Sequence, residues 1–217
     1  MEFKEALTRR RSIRSFDGKA VPIEDVRAIV EEAGRAPSWA NAQPWRVYVA
    51  TGATLDEIRR RHMELARKGV RGNSDFENLH RGNWGPQAQS NMSAWGQDLF
   101  SRHLGGDPQD RFGQANRSLF GAGTIAYLTI ENPYPEWSVL DLGAFEQTLA
   151  LAAANRGIDT MVAYELVRYP ELVRERMGIP CTETLAIGVA LGYATSEPIN
   201  AYRSQRMDID EFLTVRD

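Results

Sequence analysis

Between Leu140 and Ala154, apolar side chains fall on almost every face that a helix could present: Leu140, Leu142, Ala144, Phe145, Leu149, Leu151 and Ala152. A surface helix needs only one apolar stripe, so a helix that is apolar nearly all round is covered on more than one side. A chain of 217 residues supplies one hydrophobic core. One side of this helix is therefore expected to pack on that core. The other side predicts contact with a second subunit.

The remaining pattern alternates helix and strand. Phe3, Ala6, Leu7 and Arg10 share a helical face. Ile23, Val26, Ile29, Val30 and Ala33 repeat at helical spacing, with Pro22 to open that helix and Gly34 and Pro37 to close it. Arg46–Ala50, Thr124–Ile130 and Thr184–Tyr193 read as strands, the last of them central because it is apolar almost throughout. Thr54 is the expected N-cap of a helix whose apolar face carries Leu55, Ile58, His62 and Leu65, with His62 a partly buried structural residue. Pro170 starts a further helix and Gly178 stops it. The strands are too few for a large doubly wound sheet. The expected class is α+β, one mixed sheet with helices on both faces.

Residues 69–116 break this regularity. Eight glycines, Gly105 and Gly106 among them, interrupt a polar stretch that carries Trp84, Trp95 and Phe100. Long irregular segments in a compact domain are usually lids or binding loops, and the tryptophans favour a packed, partly helical cover. The chain is thus expected to be a single domain, 1–217, with 69–116 as a variable lid. The tail Ile199–Asp217 has few core residues of its own, which suggests that it wraps a partner.

The formal net charge is −3 and the pI is near 5.7, which argues against nucleic-acid binding. Cys181 is the only cysteine, so no intrachain disulfide is expected. His62, His80 and His103 do not fall at metal-ligand spacings, and no zinc is expected. No apolar run of membrane-spanning length and no signal-like start is present, so a cytoplasmic location is expected.

Against that background, Arg9-Arg10-Arg11-Ser12-Ile13-Arg14-Ser15-Phe16 stands out. Guanidiniums bind phosphate bidentately. In an extended run, alternate residues share a side, which would set Arg10, Ser12 and Arg14 against Arg9, Arg11 and Ile13. Arg206 in the tail could converge on the same phosphate, with Arg203 as a further basic position and Arg11 as a neighbour in the cluster. Pro37-Ser38-Trp39-Ala40-Asn41-Ala42-Gln43-Pro44-Trp45 is poor in charge and rich in amide and hydroxyl groups. The two segments suggest the walls of a site for an anionic, planar, hydrogen-bonding ligand. No P-loop, no GxGxxG after a strand and no Ser-His-Asp or Cys-His set is evident, so an enzyme of this kind would borrow its chemistry from a cofactor.

Taken in order, RRSIRSF, PSWANAQPW, LDLGAFEQTLALAAANRGIDT and LAIGVALGYA resemble the flavin-dependent nitroreductase family over nearly the whole chain. YPELVRERMGIP and INAYRSQRMDIDEF are similar to its nitrobenzoate-reductase-like branch. The resemblance implies a nitroreductase-like fold, an intertwined homodimer and an FMN in each of two interfacial clefts. It places Arg10, Ser12 and Arg14 around the phosphate and ribityl chain, and Arg206 on the phosphate. Ser38, Trp39 and Asn41 would reach the flavin from the partner. Asn116 would bond the pyrimidine edge. Val162, Ala163, Tyr164 and Glu165 match the turn that faces flavin N5. This chain has Met161-Val162-Ala163-Tyr164 where relatives carry Pro with Gly or Gln, so the N5 donor falls on either of two neighbouring residues.

The implied activity is hydride transfer from NAD(P)H through the flavin to small nitroaromatic or quinone-like acceptors, by ping-pong turnover without a catalytic side chain. The lid 69–116 would then set acceptor choice rather than flavin binding. The same flavin fold with another reaction, such as dehalogenation, enoate reduction or flavin fragmentation, is the alternative, as is a low-turnover flavin-binding or redox-sensing module.

Overall fold

Four strands, β1 (Trp45–Thr51), β2 (Thr124–Glu131), β3 (Asp159–Ala163) and β4 (Glu183–Gly192), form one sheet in the order β1-β2-β4-β3 in the computed structural model, which describes residues 2–104 and 107–217. Gly105 and Gly106, two of the glycines in the expected lid, lie outside the described residues. All three strand pairs are antiparallel. The parallel component of the expected mixed sheet is a single bridge, Ser12 to Thr160, which lays the arginine segment along the outer edge of β3. β2 is buried at every position from Thr124 to Ile130, and β4 is buried at all but Ile187. Strands covered on both faces need continuous apolar runs, and both sequences have them.

Among the described residues seven α-helices flank the sheet: α1 (Phe3–Arg9), α2 (Ile23–Ala33), α3 (Gly52–Arg67), α4 (Pro86–Arg102), α5 (Pro108–Arg117), α6 (Glu136–Asn155) and α7 (Pro170–Met177). Pro22 is the N-cap of α2, Gly34 its C-cap, and Gly178 closes α7 in the left-handed region at φ 66°. Thr54 does not cap α3. Thr51 holds the N-cap position, without a side-chain cap bond, because β1 runs directly into the helix and Gly52 takes the turn at φ 53°. The segment 69–116 contributes α4 and α5.

The residues of α6 divide as the apolar pattern requires. Leu142, Phe145, Leu149 and Ala153 are buried against the sheet and α2, and Phe145 stacks on Trp45 at 4.8 Å. On the opposite side Trp137 and Leu140 are 60% and 64% exposed. Phe3 and Leu7 on α1 and Phe212 and Leu213 in the tail are also exposed, so the outward apolar surface is extensive. No helix among the described residues is long and apolar enough to cross a membrane.

Candidate functional site

Residues 10–16 are fixed by hydrogen bonds between their backbone and several remote elements. The Ile13 N–H donates to the Thr160 carbonyl at 3.0 Å, and the Ile13 side chain is fully buried. Asn200 grips the next two residues: its Oδ1 accepts from the Arg14 and Ser15 N–H groups at 2.9 and 3.1 Å, and its Nδ2 donates to the Ser15 carbonyl at 2.7 Å. Arg11 Nε donates to the Asn200 carbonyl, and Arg203 Nη1 to the Thr8 carbonyl. The tail is thereby brought over the N-terminal segment.

The result is a cavity of about 740 Å³ lined by Arg9, Arg10, Arg11, Ser12, Arg14, Arg203 and Arg206. Glu5 is the one carboxylate on its wall, and none of these arginines forms an ion pair among the described residues. Such a concentration of unpaired guanidiniums in a chain of net charge −3 fits a phosphate. The expected division by alternation is only partly followed. Arg10 is the C-cap of α1, so the chain is not extended from residue 9, and Arg9 and Arg11 line the cavity with the others. Ile13 alone turns fully inward.

Arg14 differs from the rest because its side chain is buried, at 7% exposure. Its Nη1 donates to the Ser12 carbonyl at 3.2 Å, while Nε has no partner. Burial pulls its pKa below the ordinary value, with Tyr202 acting weakly the other way. A buried guanidinium without an anion is incompletely compensated, as expected of a group that awaits one.

Val162 and Ala163 end β3, and Tyr164 opens a 3-10 turn through Val167. The region read as a turn is thus half strand, because Met161–Ala163 pair with β4. The turn sits close to its neighbours. A Cβ at Gly188 would stand 2.5 Å from Leu166 Cβ, and one at Gly72 would stand 2.6 Å from Tyr164 Oη. His62 is fully buried rather than partly so, at 2% exposure. Its Nε2 lies 3.3 Å from Glu165 Oε1, an ion-pair separation without hydrogen-bond alignment, and its Nδ1 lies 3.2 Å from the Arg117 carbonyl. Asn116, next to Arg117, is half-buried near the end of α5.

Ser38, Trp39 and Asn41 do not join the arginine cavity. They form an exposed 3-10 turn with Trp39 66% exposed. Ala40, Asn41 and Gln43 all take positive φ, at 47°, 60° and 47°, a conformation that costs non-glycine residues free energy. Buried Asp141 accepts from the Trp39 N–H at 3.0 Å, and Ser38 Oγ accepts from the Gln43 N–H at 3.0 Å. The loop is held by these bonds and does not line the chain's own cavity. Trp95, expected in the lid, and His62, expected on the apolar face of α3, are joined at the site by Asn200 and Tyr202, which residue patterns alone do not single out. Only the Asn200-Ala201-Tyr202-Arg203 run, within a motif already notable for its arginines, offered a signal. Among the described residues no cluster of His, Cys, Asp or Glu could hold a metal ion.

The sequence profile of the Nitroreductase family matches residues 7–193. The chain is 32% identical over 225 residues to a 4-nitrobenzoate reductase of Nocardioides sp., covering 99% of this chain and 90% of that protein. It is 32% identical over 210 residues to the nitroreductase NfnB of Mycolicibacterium smegmatis, covering 93% and 87%. The crystal structure of FMN-dependent NfnB from Mycobacterium smegmatis in complex with NADPH superposes with a TM-score of 0.89 at 27% identity over all of both chains.

Proposed function

The chain belongs to the nitroreductase family, and on that premise we propose that it is an FMN-dependent oxidoreductase that uses NAD(P)H to reduce nitroaromatic and quinone-like acceptors in ping-pong turnover. The observation that carries the reading is the cavity of unpaired arginines from residues 9–14 and 203–206, with buried Arg14 lacking an anion.

Arg10, Ser12, Arg14 and Arg206 would hold the phosphate and the ribityl chain, with Arg11 and Arg203 adding positive potential. The backbone at Val162–Tyr164 would present an N–H to the ring, and Asn116 would meet its pyrimidine edge. When bound, FMN supplies the two-electron chemistry that no side-chain set here provides. The chain's own work is to bind, orient and exclude water. Arg14 would favour negative charge on its ligand. The close packing of Leu166 on Gly188 fixes the height of the turn. Ser38, Trp39 and Asn41 would complete the site of a second copy, in a homodimer closed over Trp137, Leu140, Phe3 and Leu7. A cytoplasmic location accords with this use of NAD(P)H.

The test is spectroscopic. Purified protein should be yellow, release a flavin monophosphate on denaturation, bleach with NADPH or NADH under nitrogen and recover colour with a nitroaromatic. A colourless protein that acquires no flavin spectrum when FMN is added would refute the reading.

A further inference from the structure

We propose that Trp95, on helix α4 of the 69–116 segment, is a positioning residue of the cofactor site: it holds the Arg14 guanidinium in place and so couples docking of the lid to occupation of the phosphate site. The inference rests on the FMN reading above.

Arg14 has no carboxylate partner among the described residues, and its Nε is unsatisfied. Two aromatic rings flank it. The guanidinium carbon lies 5.9 Å from the Trp95 ring centre and 6.0 Å from that of Tyr202. Both are within the reach at which a ring face attracts a cation, and the attraction grows when water is excluded. Trp95 and Tyr202 also line the arginine cavity itself, so the rings stand at the wall of the site rather than behind it. Trp95 is fixed in turn: its ring meets Phe112 of α5 edge-on at 6.2 Å, beside a small cluster of Leu99, Leu104, Ile199 and Tyr202. The guanidinium is therefore aimed before any anion arrives, which reduces the ordering that binding must impose.

The same contact matters for the helix. Leu99 is the one fully buried side chain of α4, so the helix has few anchors and belongs to the less stable part of the fold. Coupling free energies are reciprocal. Whatever Trp95 contributes to placing Arg14 for a phosphate, a bound phosphate returns to the docking of α4. Under this proposal Trp95 also serves flavin binding, in addition to the acceptor choice expected of residues 69–116.

The experiment uses full-length apo-protein, prepared by removing FMN, and two variants. Trp95→Leu keeps apolar volume but removes the ring face, and Trp95→Phe keeps a ring face. FMN affinity is read by flavin fluorescence titration, and lid docking by amide exchange across Pro86–Arg102 with and without FMN. Trp95→Leu should weaken FMN about 3- to 30-fold. Trp95→Phe should stay within about 3-fold of wild type. In the wild-type protein FMN should slow exchange in α4, and that slowing should be lost in Trp95→Leu. Wild-type affinity in Trp95→Leu, equal losses in both variants, or exchange in wild-type α4 that ignores FMN would each overturn the inference while leaving the FMN reading intact. A wild-type apo-protein that takes up no FMN would overturn both.

Discussion

Nε2 of His62 lies 3.3 Å from Oε1 of Glu165, while Nδ1 of the same buried ring lies 3.2 Å from the Arg117 carbonyl. A carbonyl only accepts, so Nδ1 carries a proton, and the second nitrogen faces a carboxylate that Arg168 also approaches at 3.2 Å. The ring thus ties the end of α5 to the turn after β3. The Glu165 carboxyl is raised by burial, but His62 and Arg168 together outweigh that and hold its pKa below the ordinary 4.5.

A depressed folded-state pKa contributes stability that is fully present above the ordinary value and is lost as pH falls through the folded one. For Glu165 that loss lies below pH 4.5. Glu165→Gln should therefore lower Tm at neutral pH and flatten its decline on acidification beneath 4.5. Thermal melts from neutral to acid pH check this, and parallel curves for the two proteins would contradict it.

Arg14→Ala should weaken FMN binding more than Arg9→Ala. Both line the cavity, but only Arg14 is buried without an anion, while Arg9 is better solvated. A lost charge-assisted pair costs about 1.5–3 kcal/mol, or about 10- to 150-fold in affinity. Titration of the apo-variants with FMN gives the ranking, and equal affinities would return the cluster to an ordinary solvated face.

Leu140→Glu should convert a dimer to monomer. Leu140 is 64% exposed beside exposed Trp137 on α6, and a stable obligate interface buries more than about 2,000 Å² of largely apolar surface. Sedimentation of both proteins is the measurement. A dimer that persists in the variant would place the interface elsewhere.

Asp141→Ala should loosen the loop at residues 38–43. It removes the buried acceptor for the Trp39 N–H, beneath three non-glycine residues at positive φ. Hydrogen bonds to charged groups are worth about 1.5–3 kcal/mol, so Tm should fall and amide exchange of Trp39 and its neighbours should rise. Unchanged exchange would mean that Ser38 alone holds the loop.

Most of the secondary structure was legible in the chain because its signals are short-range. Pro22 with Gly34 and Pro170 with Gly178 bracket helices where the backbone rules put them. The apolar runs of β2 and β4 marked strands covered on both faces, and the all-round apolar character of Leu140–Ala154 anticipated an outward face that this chain alone leaves exposed. The start of α3 was misplaced by three residues, because Thr54 looks like a cap while Gly52 supplies the turn.

The sequence by itself also determined the chemistry of the arginine segment, since no local structure alters what clustered guanidiniums bind. Only the tertiary structure decided which partners they keep. Asn200 lies 186 residues from Arg14, and both Trp95 and Tyr202 reach it from remote elements. His62 meets Glu165 from another distant part of the chain. Helical and strand periodicity report the local path of the backbone. Contacts between distant residues depend on how separate elements close on one core, and no local pattern in the chain records which of its tryptophans or histidines will stand beside a given charge.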